Sequence, residues 1–86
     1  MVGQLAVVLD LEGVNFIDSQ GSAKLAELHR LGEADGFEVR LARVKPQVLR
    51  VLENDGVVDL LGPDHVHLNI HGAVEAQRAV APAPTD

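Results

Sequence analysis

The sequence contains no cysteine, tryptophan or tyrosine, only two phenylalanines, and few basic residues. Without cysteine, disulfides and thiolate chemistry are excluded, and a reducing cytosolic compartment fits the chain. Without aromatic rings in number, the stacking platforms that hold single-stranded nucleic acid are missing. Seven Lys and Arg against 13 Asp and Glu give a net charge of −6, which opposes the phosphate contacts on which nucleic-acid affinity depends. No nucleic-acid partner is expected. No apolar run approaches the ~20 residues of a membrane-spanning helix, and Met1-Val2-Gly3-Gln4 lacks the charged start of a signal peptide. Any membrane connection is therefore expected on another segment.

What remains is a small aliphatic domain. With 86 residues, of which 47% are hydrophobic, the chain is long enough for one packed core and too apolar for disorder. A single domain is expected over residues 1–80. Ala81-Pro82-Ala83-Pro84-Thr85-Asp86 reads as a flexible tail or linker.

The stretch Leu5 to Gly21 organises the rest. Leu5, Ala6, Val7, Val8 and Leu9 form a continuous apolar run, the pattern of a strand buried on both faces of a mostly parallel sheet. A loop through Glu12, Gly13, Val14 and Asn15 leads to Phe16-Ile17, and Asp18 or Ser19 is the expected N-cap of a helix. From Ser22 to Asp35, Leu25, Leu28 and Leu31 are expected to cover the sheet while Lys24, Glu27, Arg30 and Glu33 meet water. Gly36 is the expected left-handed C-cap.

Phe37 to Ala42 alternates apolar with charged residues, which predicts a strand covered on one face and nearer an edge. Pro46 opens a short helix carrying Val48, Leu49, Val51 and Leu52, which ends at Asn54-Asp55-Gly56. Val57-Val58 and Leu60-Leu61 make a second apolar patch before the Gly62-Pro63-Asp64 turn. His65 to Ile70 alternates as a third strand, and Gly72 to Val80 reads as an alanine-rich helix. The expected fold is α/β, with element order β-α-β-α-β-α, a small, mostly parallel sheet and helices packed on it.

An apolar strand ending in Asp10-Leu11, then Phe16-Ile17-Asp18-Ser19-Gln20-Gly21, then a leucine-spaced helix, resembles the STAS family. That family is shared by anti-sigma-factor antagonists and by the cytoplasmic tails of SulP-type sulfate and anion transporters. Leu41-Ala42-Arg43-Val44-Lys45, followed by Val48, Leu52, Gly56, Gly62 and Ala73-Val74-Glu75-Ala76, is similar to the second half of a transporter-type domain. The family fold begins with further N-terminal strands, which this reading expects to be missing, leaving a sheet edge for another copy of the chain to cover.

The resemblance implies a non-catalytic regulatory or interaction domain whose partner is a transporter membrane domain or a regulatory protein. It also implies attachment to an inner-membrane transporter on the cytoplasmic side. In the antagonist branch the serine after the aspartate accepts a phosphate, which makes Ser19 the phosphoacceptor candidate of the alternative, a free-standing anti-sigma-factor antagonist. Gln20 stands where that branch has a second hydroxyl residue, so the transporter branch is favoured.

Residues Asp18, Ser19, Gln20 and Gly21 are candidates for holding an anion or nucleotide, because free amides and the positive end of a helix dipole gather there. Lys45 is expected at the same rim, where a nucleotide or inorganic anion would bridge it to the Ser19 amides. No Gly-rich phosphate cradle accompanies them. His65, His67 and His71 share a strand face and are candidate metal ligands with Asp59 and Asp64, but four converging ligands are not evident and no metal or other cofactor is expected. Enzyme chemistry is not expected either, since no base or oxyanion hole pairs with Ser19 in this layout.

Overall fold

The computed structural model describes residues 5–80. The expected tail at 81–86 lies outside the described residues. The elements run β1 (Leu5–Asp10), α1 (Ser19–Asp35), β2 (Phe37–Ala42), α2 (Pro46–Asn54), α3 (Val57–Leu61), a short 3-10 turn (Pro63–His65), β3 (Val66–His67) and α4 (Ile70–Val80). The three strands lie in the order β1-β2-β3. Both pairings are parallel, from Leu5 opposite Phe37 to Asp10 opposite Ala42, then Leu41 opposite Val66 and Ala42 opposite His67.

Helices cover both faces, as a parallel sheet requires. On one face Val39 and Leu41 join Val48, Leu52, Val57 and Leu61 in the core, with Leu25, Leu28 and Phe37 packed against them. On the other face α4 lies across all three strands with Ala73 fully buried.

The strand expectations need correction. β2, expected near an edge, is central, and Val39 to Ala42 are buried. Of its charged positions, Arg40 is buried and bonded to Gln77 of α4, while Glu38 is partly buried and paired with His65 of the 3-10 turn. β1, expected to be buried on both faces, is a border strand whose Ala6 to Leu9 are half-buried and whose Leu5 is 71% exposed. An apolar run reports on the faces of a strand and not on its place in the sheet, which is decided by pairing.

The third strand, expected over His65 to Ile70, has only two residues. Asn69 ends it: its Oδ1 accepts from Gly72 N at 2.6 Å, so the side chain starts α4 at Ile70 instead of Gly72. The Val57–Leu61 apolar patch forms α3, reached through Gly56 at φ 80°.

α1 begins at Ser19, three residues before the expected Ser22, and it ends as expected at a left-handed Gly36. Its inner face is turned from the leucine reading: Leu31 is exposed, and Gly32 is buried in its place. A Cβ at Gly32 would sit 2.5 Å from the Phe37 carbonyl oxygen. Glycine there lets the last turns of α1 approach β2 closely, and that approach sets which way the helix faces.

Candidate functional site

The rim at the carboxyl ends of the strands carries the sequence-predicted residues. Asp18 is extended, with φ −115° and ψ −175°, and its Oδ1 accepts from Gly21 N at 3.0 Å, so it is the N-cap. Ser19 and Gln20 follow on the first turn and are exposed. Gly21 is half-buried, and a Cβ there would press within 2.5 Å of Ile17 Cγ1. Beneath them Ser22 is buried, and its hydroxyl has no hydrogen-bond partner. Ser19, Ser22, Ala23, Ala26, Asp55 and Val57 line an open groove of about 250 Å³ between α1 and the α2–α3 corner.

The β1–α1 loop is braced by the β2–α2 loop. Arg43 donates through Nε to Asp10 Oδ1 at 3.1 Å, pairs with Asp10 Oδ2 through Nη2, and reaches Glu12 Oε1 with Nη1 at 3.0 Å. The Arg43 hydrogen bond and the Glu12 amide together hold the Asp10 carboxyl below its usual range. The same ion pairing pushes the Arg43 guanidinium up. Lys45 donates to the Glu12 carbonyl and to Asn15 Oδ1, the latter at 2.8 Å. The structure thus brings Lys45 to the loop before the helix, where it holds Glu12 and Asn15. An anion bridging Lys45 and the Ser19 amides would have to compete with those two acceptors.

The three histidines do not share one strand face: His65 ends the 3-10 turn, His67 lies in β3 and His71 in α4. His65 Nε2 lies 2.8 Å from Glu38 Oε1, and His67 Nε2 lies 3.1 Å from Arg40 Nη1. His71 is exposed on α4. Among the described residues, no group of three or more His, Asp or Glu is placed to hold a metal ion. The partners of His65 and His67 are thus Glu38 and Arg40, on the strand face away from Ser19.

One cluster was not anticipated. Arg40 is only 1% exposed, and its guanidinium gathers Gln77 of α4, the Asp64 carbonyl, His67 and Glu38. Burial, then the nearby Arg40 and His65 charges, lower the His67 pKa against a weaker opposing pull from Asp64. A signal was present: a parallel strand with a charged residue in mid-run must cover that residue too.

An open parallel sheet of three strands, helices on both faces and an exposed, capped helix start at the carboxyl rim define a small α/β domain. The chain belongs to the STAS domain family, whose model matches residues 3–73.

Its relatives include a probable sulfate transporter 4.2 of Arabidopsis thaliana, 28% identical over 93% of this chain and 12% of the transporter. Solute carrier family 26 member 9 of Mus musculus is 33% identical over 79% of this chain and 9% of its own length. Among solved structures, the murine solute carrier 26 family member A9 anion transporter, inward-facing, matches with a TM-score of 0.80 and 31% identity over 87% of this chain and 12% of that one. A SulP transporter STAS domain from Vibrio cholerae matches with a TM-score of 0.78 and 27% identity, covering 86% of this chain and 58% of that chain. The chain therefore spans about one eighth or less of the transporters it matches. It is homologous to their STAS domains, and among the described residues no helix is long and apolar enough to cross a membrane.

Proposed function

We propose that this STAS domain is the non-catalytic, cytoplasmic regulatory and interaction domain of a SulP-type sulfate or anion transporter, working through the Asp18-Ser19 loop and α1. The observation that carries the reading is the exposure of Ser19 on the first turn of a 17-residue helix, held by the Asp18 cap, in a domain homologous to those of anion transporters. A braced loop beside a rigid helix suits docking, because little conformational freedom is lost on binding. The partner is the transporter's membrane domain or a regulatory protein, and a small anion or nucleotide at the Ser19 to Gly21 amides would act as a modulator.

The test is anion uptake by the parent transporter carrying Gln20→Arg, or Ala23→Arg on the groove. Altered uptake at unchanged surface expression supports the reading, and wild-type uptake from both overturns it. Titration of the chain with sulfate and with GTP, watching the Ser19 to Gly21 amides, tests the modulator separately.

A second reading is a free-standing anti-sigma-factor antagonist switched at Ser19. It is favoured by the same exposed hydroxyl, where a phosphate would meet the positive end of the helix dipole. A parent reading frame without membrane spans would select it, and mass spectrometry of the protein from its own cells would then look for phosphate on Ser19.

A further inference from the structure

We propose that His67 makes the attachment of α4 to the sheet proton-sensitive: one protonation, on Nε2, releases α4 and β3 from β2 while the core on the opposite face stays folded. The device lies on the face away from Ser19 and stands independently of the docking reading.

The geometry begins with Arg40. This side chain is 1% exposed and ties three elements together: Nε donates to Gln77 Oε1 of α4 at 2.8 Å, and Nη1 donates to the Asp64 carbonyl of the 3-10 turn at 3.1 Å and faces His67 Nε2 of β3 at 3.1 Å. Arginine has donors only. His67 Nε2 must therefore offer its lone pair, and the ring is neutral with its proton on Nδ1. A proton added at Nε2 turns the one acceptor in that contact into a donor pointed at a donor. It also sets a second positive charge beside a guanidinium cut off from water, where screening is weak.

His67 itself is partly exposed, and the protein groups around it give the new charge little relief. From β2, Arg40 faces His67 directly, while Glu38 stands 3.6 Å from Arg40 Nη2 and 2.8 Å from His65 Nε2. From the 3-10 turn, His65 adds repulsion and Asp64 a weaker attraction. From α4, Gln77 is neutral and engaged with Arg40; Glu75 and Arg78 pair with each other at 3.4 Å, and His71 is exposed. Burial and Arg40 already disfavour the charged ring in the folded chain.

The fold also says which part yields. β3 holds β2 through two register positions, and among the described side chains of α4 Ala73 is the one fully covered apolar group. The opposite face holds Val39, Leu41, Val48, Leu52, Val57 and Leu61 in one cluster. Apolar burial is thus concentrated away from α4, which places its opening at the low end of the stability scale. Opening would bare Ala42 and Ala73, now fully buried. The sign follows directly: the neutral ring's contribution is complete above the ordinary histidine pKa and is lost as pH falls through the lower, folded-state value.

The test is amide hydrogen exchange on the chain between pH 7.5 and 5, corrected for intrinsic rates, in wild type and in His67→Gln, whose carbonyl oxygen still accepts from Arg40. In wild type, protection at Ala73, Ala76 and Gln77 falls by up to about tenfold per pH unit, the limit for one linked proton. Protection at Leu41 and Leu52 holds, and the variant is flat in α4. An equal loss in the variant, a loss shared equally with Leu41 and Leu52, or no loss in wild type overturns the proposal. Should the variant fail to fold, imidazole nitrogen spectra of the wild type decide: an Nδ1–H tautomer whose protonation coincides with α4 opening supports it, and a His67 ring that becomes charged with α4 still protected overturns it.

Discussion

Arg43 grips the carboxylate of Asp10 from the far side of the β1–β2 pair while its own backbone N–H donates to the His67 carbonyl at 3.0 Å. One residue therefore ties together the exits of all three strands. It does so at φ 57°, a left-handed conformation unusual for a non-glycine residue. That geometry turns the chain off β2 and aims the guanidinium back over β1, which fixes the loop that leads to Ser19.

Removing the guanidinium should be read at Asp10. In Arg43→Met the Asp10 carboxyl should titrate back up toward its ordinary range, because the hydrogen bond that lowers it is gone. A carboxylate with a lowered folded pKa contributes stability above its unfolded value and loses it as pH falls through the folded one. The variant should therefore show a smaller loss of stability on acidification than wild type. Carboxyl carbon shifts followed by NMR from pH 6 to 2 provide the check.

Gly32→Ala should destabilise despite better helix propensity. The added Cβ would lie 2.5 Å from the Phe37 carbonyl oxygen, backbone that has little room to yield. Overpacking of this kind costs about 1–3 kcal/mol, more than the ~1 kcal/mol gained by replacing glycine in a helix. Gly13→Ala is the control, with nothing within 4 Å of the added methyl group. Urea unfolding midpoints at constant m-value would separate the two.

Leu52→Ala and Leu31→Ala should differ sharply although both are helix leucines. Leu52 is completely buried among the core side chains, and its truncation should cost about 2–5 kcal/mol. Leu31 is 52% exposed and should cost within about 0.5 kcal/mol. Equal losses in chemical denaturation would mean that α1 faces the sheet as the leucine spacing alone suggests.

The cap and the serine beside it should also separate. Asp18→Ala removes the acceptor for Gly21 N and should cost about 1 kcal/mol, with faster exchange of that amide. Ser19→Ala, at an exposed position without a capping bond, should leave stability within about 0.5 kcal/mol. Any larger effect of Ser19→Ala on the parent protein would then report on docking or modification and not on folding.

Much of the chain was legible without coordinates because the signals were local. Asp18 caps α1, Gly36 closes it in the left-handed region, Pro46 opens α2, and Gly56 ends that segment, each through backbone chemistry confined to a few residues. The candidate rim was legible for the same reason: Asp18 to Gly21 form one turn. The position of Lys45 was legible only as far as the rim, since its acceptors, Glu12 and Asn15, are 30 or more residues away.

Sequence by itself determined the α/β class, the order of the main helices and strands and the helix start that bears Ser19, since periodicity and capping act over a turn or two. Tertiary structure alone decided that β2 is central, that Leu31 gives way to Gly32 and that Arg40 is buried against His67 and Gln77. Those outcomes depend on which surfaces meet in the folded chain: β1 against β2, α1 at Gly32 against Phe37, and Arg40 against His67 and Gln77, 27 and 37 residues away. A charged residue in a strand reads as solvent-facing until the helix that covers it is in place.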